Sequence, residues 1–154
     1  MQGPEAYLSR SEYPAVAERK WTNINSFLAI LVRDYGNAFP ALFGTCVQYA
    51  FWALSSALEH PPKTRLGKNM EIHVPAACRW ILLARDAVRE ALDAGYEGEP
   101  WTAMAGWLWQ SHVETDQVDG RRWAFWKRRL EALREDPRLD PEMADIALQV
   151  SRIM

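Results

Sequence analysis

The stretch LFGTCVQYAFWALSSALE, residues 42–59, decides the fold. Wound at about 100° per residue, it places Leu42, Phe43, Cys46, Val47, Tyr49, Ala50, Phe51, Ala53, Leu54, Ala57 and Leu58 over more than half of the circumference. Thr45, Gln48, Ser55, Ser56 and Glu59 share the remaining strip, and Trp52 projects from the middle of it. A helix apolar over so wide an arc must be wrapped by other elements. The reading is an all-α fold, a single compact domain of five to six helices packed around a central apolar helix at about 41–60.

Working toward the N-terminus, Gly36, Asn37 and Pro40 separate this helix from an earlier one. That helix runs from Pro14 to about Tyr35, with Ala17, Trp21, Ile24, Leu28, Leu31, Val32 and Tyr35 in one stripe. Residues 1–13 read as an irregular arm, leaving 14–154 as the helical domain. On the other side, Pro61 and Pro62 forbid continuation, and 61–73 reads as a basic connection. Pro75 suits the first turn of the next helix, which runs to Ala94 with Gly95 as cap. Its core stripe is Ala77, Trp80, Ile81, Ala84, Val88, Ala91 and Leu92.

Residues 95–118 fit either a short helix or an irregular wrap, because Trp101, Trp107 and Trp109 share no single face. Asp119 then makes an N-cap for a helix to about Glu135 that buries Trp123, Trp126, Leu130 and Leu133, and that leaves Phe125 exposed among arginines. Asp140-Pro141-Glu142 opens the last helix, with Met143, Ile146, Ala147, Val150, Ile153 and Met154 on one face. No run alternates as a strand would.

Bulk composition agrees. A chain of 154 residues buries roughly 70% of its unfolded surface without a metal or disulfide staple. The net charge of −2 creates no field favouring nucleic acid or membrane. Cys46 and Cys78 both fall on apolar helix faces, as small core residues in a reducing compartment do. The start of the sequence lacks the basic-then-apolar pattern of a secretory signal, so a cytoplasmic protein is expected. Tryptophan is the outlier, at eight residues; such enrichment builds either a core of large rings or an aromatic-lined pocket.

Three segments carry a family resemblance: the hub ending in ALSSALE, the helix around CRWILLA, and RRWAFWKRRLEAL with its tryptophans three apart. Their layout resembles a fungal family known as domain of unknown function 3632. The resemblance implies a fungal, mostly helical, intracellular protein, and assigns no catalytic residue.

The motifs of well-known chemistries are missing. His60, His73 and His112 have no ligand-like spacing, and neither CxxC nor HExxH occurs. His112-Val113-Glu114 lacks the later PCxxC of the zinc deaminases. Glu114, Asp116 and Asp119 read as a solvated loop and a helix cap rather than as a cation site. No GxSxG, GxGxxG or GxxxxGK[ST] is present. No metal and no cofactor is expected. The basic run Arg121, Arg122, Lys127, Arg128, Arg129 reads as a solvated helix face, without nucleic acid as partner.

Two functions from different classes fit. One is a small-molecule-binding or protein-interaction module with an aromatic-lined cleft, its site drawn from Trp52, Gln48, Glu59, Trp101, Trp107, Trp109 and His112; the ligand is then an apolar small molecule or a protein partner. The other is a cofactor-independent isomerase or cyclase that shapes an apolar metabolite, with His112, Glu114, Asp116 or Tyr96 as its polar groups. Trp52 is the hinge of the first reading: it is either covered by the Trp101–Trp109 segment as core or left to stack on a ligand.

Overall fold

A computed structural model describes residues 14–41, 44–95, 104–113 and 117–154. The arm 1–13, Tyr96, Trp101, Glu114 and Asp116 lie outside the described residues. Among the described residues there are helices and turns and no strand. In chain order the helices are α1 (Pro14–Tyr35), α2 (Gln48–Leu58), α3 (Arg65–Lys68), α4 (Met70–Asp93), α5 (Trp107–Gln110), α6 (Gly120–Ala132) and α7 (Pro141–Ile153). Turns of 3-10 helix occupy Gly44–Val47 and Leu133–Glu135. None of these helices is long and apolar enough to cross a membrane.

The central apolar helix is α2. Every residue from Ala53 to Leu58 is buried, with Ala50 and Phe51 before them, and α2 meets α1, α3, α4 and α6. It begins later than the apolar pattern suggests. Glycine and β-branched residues hold Gly44–Val47 in a 3-10 turn rather than an α-helix.

The most extensive helix pair is α1 with α4. Trp21 of α1 packs with Ile72 and Ala76 of α4. One turn on, Asn25 Oδ1 accepts from Trp80 Nε1 at 2.8 Å while its Nδ2 donates to the Trp21 carbonyl at 2.9 Å. The two helices therefore run in the same direction. α7 lies against α4 in the same sense: Leu139 and Asp140 border Glu71 and Pro75, and Arg85 reaches the Ile153 carbonyl at 3.2 Å.

Two boundaries differ from expectation. The connection 61–73 contains α3, whose N-cap Thr64 accepts from Gly67 N at 3.1 Å and donates to the Pro61 carbonyl at 2.7 Å. And α4 begins at Met70, which puts Pro75 inside it. Proline within a helix costs about 3 kcal/mol. Burial of Met70, Ile72 and Val74 offsets that, at roughly 1.5–3 kcal/mol for each such side chain. The end at Gly95 is as expected: its φ of 82° is a left-handed conformation that suits glycine. Asp119 and Asp140 cap α6 and α7 through their carboxylates.

The face of α6 is the main correction. Trp123 and Trp126 are core, but Phe125 is buried as well, at 4% exposure. The segment 104–113 covers it: Trp109 stands edge-on at 5.4 Å between ring centroids and His112 at 5.6 Å. With a second face covered, the basic run is divided. Arg122 is interior, Arg129 turns to the Leu58 carbonyl at 3.1 Å, and Arg121 and Arg128 remain outside.

Candidate functional site

The end of α2 meets α6 in a buried polar cluster. Glu59 Oε1 accepts from Arg122 Nε at 2.7 Å and from Trp126 Nε1 at 2.6 Å. Glu59 Oε2 accepts from Arg122 Nη2 at 2.9 Å and from the Gly106 backbone N–H at 2.7 Å. Ser55 Oγ stands 3.0 Å from that oxygen and 3.0 Å from the Met104 carbonyl, which Arg122 Nη2 also reaches at 3.2 Å. The Glu59 carbonyl accepts from Leu108 N at 2.9 Å. Gly106 is required here: a Cβ would lie 2.5 Å from the Glu59 carbonyl oxygen.

This cluster is a fastening for segment 104–109, not a binding site. Both Glu59 oxygens are occupied, and neither Glu59 nor Arg122 has any exposed side-chain surface. Glu59, expected at the rim of a cleft, therefore faces the interior. The sequence does carry a signal for this arrangement. Arg122, Trp126 and Leu133 share one helical stripe (spacing 4 and 7), and Glu59 is the single acid closing an otherwise apolar helix.

The other expected site residues are scattered. Trp52 is partly buried by α1 and α4, edge-on to Trp21 at 5.3 Å between centroids and 6.4 Å from Tyr49. Gln48 is half-buried at the start of α2. Trp109 is core against Phe125, on the α6 side, while Trp107 is 68% exposed and His112 lies at the surface. Trp52 and Trp109 thus pack against different helices and do not line one cleft.

A concavity does exist elsewhere. α1 and α7 both pack on α4 and leave a groove of about 520 Å³ between them. Its floor is the outer face of α4, where Pro75, Cys78 and Leu82 follow at helical spacing, and Leu139, Met143 and Ile146 supply one wall. Leu82 is 46% exposed although it is a large aliphatic residue. Among the described residues the rim carries Glu18, Glu71, Asp140 and Glu142 against a single lining guanidinium, Arg79. Thr22 also lines it, and its Oγ1 is shielded from water without a hydrogen-bond partner. Burial pushes the Cys78 thiol up to about 12, so this sulfur offers bulk and not reactivity. Sequence reasoning missed the groove because Leu82 lies off the core stripe of α4. A second apolar row at 75, 78 and 82 was the available sign.

His73 is a separate oddity. It is buried, neither ring nitrogen has a partner, and burial pushes it down to about 4, with His60 adding to the effect. Among the described residues no three histidine, cysteine or carboxylate side chains converge as metal ligands would.

No curated protein and no solved structure matches the chain. A family model described as a protein of unknown function, DUF3632, matches residues 6–130, which takes in α1 to α5 and most of α6 and stops short of α7. The chain belongs to the DUF3632 family.

Proposed function

We propose that this protein is a binding module without catalytic activity, and that it holds an amphipathic, positively charged ligand in the groove between α1, α4 and α7. The observation that carries the reading is the pairing of an apolar floor with a rim of four carboxylates and one arginine. Apolar concavities with a few oriented polar groups are the usual form of ligand sites. The excess of carboxylates raises the local concentration of cations. A cytoplasmic, fungal setting goes with this reading; Cys78 is a free thiol, as a reducing compartment keeps it. Nucleic acid has no part in it, since the α6 arginines point to different surroundings.

The test uses two amphiphiles of equal chain length, decyltrimethylammonium and decyl sulfate, below micellar concentration. Amide chemical shifts are followed during titration. The ammonium is expected to perturb Cys78, Leu82, Met143 and Ile146 at a concentration about tenfold lower than the sulfate. Leu82→Lys should weaken the response without lowering the melting temperature. Perturbation spread over the surface, or none, would sink the reading.

A further inference from the structure

The groove continues past Leu82, away from its acidic end. A second depression of about 500 Å³ follows α4 from Ile81 to Glu90, with Val32 and Arg33 of α1 on one side and Ile153 of α7 on the other. Leu82 borders both. The combined trough accompanies α4 from Glu71 to Glu90, bends where the α4 backbone leaves the helical range at Ala84, and is at most about 28 Å long at 1.5 Å per residue. That length equals about five helical turns.

We infer that the occupant is an amphipathic helix of a partner protein, laid along α4 between α1 and α7, with basic residues beside its apolar stripe. The inference rests on the binding reading above and names the ligand class. The walls are themselves helices running in one direction on a common floor, so the trough has the shape of an omitted neighbour in a bundle. Helices pack 8–10 Å apart when side chains interdigitate. The floor offers a matching row at 75, 78 and 82, to which an i, i+3 or i+4, i+7 stripe on the guest is complementary.

Charge sets the guest's polarity along the trough. Glu18, Glu71, Asp140 and Glu142 cluster at one end. The far end is balanced, lined by Arg33 and Arg85 as well as Asp86 and Glu90, with Arg33 paired to Asp34 and Arg85 to Asp86. Arg138 lies near Glu71 but is held by Asp136 and the Gly67 carbonyl. Lysines and arginines of the guest therefore belong at the Glu71 end.

Three labelled peptides, each about 18 residues long to match the trough, test this by fluorescence anisotropy with the full chain. One is a leucine/lysine helix, the second the same stripe with glutamate for lysine, and the third the lysine peptide broken by two central prolines. The lysine helix is expected to bind at least about tenfold more tightly than either control. It should lose about tenfold against Leu82→Lys combined with Ile146→Lys, or against Leu82→Lys alone should the double variant melt early. Equal binding of the helical and proline-broken peptides would overturn the inference, as would binding indifferent to Leu82→Lys. If decyltrimethylammonium occupies the groove and the lysine helix does not bind, the helix inference fails while the binding reading stands. If neither binds, both fail.

Discussion

Glu59 and Arg122 stand 63 positions apart in sequence and meet through two hydrogen bonds, Nε to Oε1 and Nη2 to Oε2. Their side chains have no exposure. This is the fork-to-carboxylate geometry that arginine alone provides. The desolvation cost of such a pair is large, and its attraction is recovered only because Trp126, Ser55 and the Gly106 N–H fill the remaining lone pairs.

Removing one partner should therefore be far worse than removing both. Arg122→Met leaves a buried carboxylate and is expected to cost about 3–5 kcal/mol in urea unfolding. Adding Glu59→Leu to that variant should recover more than half of the loss. A double variant no more stable than the single would show that the Trp126 and Gly106 N–H groups, left without their acceptor, cost as much as the buried carboxylate.

Gly106→Ala probes the same fastening from the backbone side. Its Cβ would lie 2.6 Å from the Glu59 Cβ as well as 2.5 Å from the carbonyl oxygen. Displacing segment 104–109 should cost about 1–3 kcal/mol, and limited proteolysis should cut there first. A stable variant resistant to protease would mean that the segment has room to move.

His73 makes stability depend on pH. Its unfolded value is about 6.5 and its folded value about 4. Above about 6.5 both states are neutral and no dependence arises. Between about 6.5 and about 4 the unfolded chain binds a proton that the folded chain refuses. Stability then falls with falling pH, at up to about 1.4 kcal/mol per unit and about 3 kcal/mol in all. Below about 4 this loss stops growing. Burial shifts His60 in the same direction, so it adds a smaller effect of the same sign. Urea melts at several pH values should show the slope, and His73→Leu should remove most of it. An unchanged slope in that variant would place the acid sensitivity elsewhere.

Phe125→Ala should cost about 3–5 kcal/mol, comparable to Trp126→Ala. An exposed ring would have changed stability by half a kcal/mol at most. Equilibrium unfolding of the two variants decides between these, and a negligible loss at Phe125 would mean that Trp109 and His112 do not cover it.

Helices were legible wherever spacing and punctuation agreed. Asp119, Asp140-Pro141 and Gly95 mark ends through local backbone chemistry, and the starts of α6 and α7 and the end of α4 follow from them. Pro75 misled because proline is as compatible with a first turn as with an interior turn stabilised by tertiary burial. Phe125 misled because a wheel shows one stripe per helix, and a second face becomes core only when a distant segment lands on it. The groove is harder still. Its floor and walls come from residues 18–22, 71–82 and 139–149, and nothing local says that three helices far apart in sequence leave a gap. Trp52 was singled out as misplaced on a polar strip, and among the described residues the rings beside it are Trp21 of α1 and Tyr49 at the start of α2.

The shared direction of α1 and α4 dictates an order of events on the ribosome. Two neighbouring helices joined by a tight turn are antiparallel, so the chain here must travel back through α2 and α3 before α4 can start beside the start of α1. The bond between Trp80 and Asn25 spans 55 positions. Trp52 of α2 and the 3-10 turn before it reach α1 first, but the most extensive partner of α1 is missing until α4 has emerged. At about 5–20 residues per second, those 55 positions take roughly three to eleven seconds. During that time the nascent chain carries the α4-facing side of α1 uncovered, an apolar surface of the kind that holding chaperones bind.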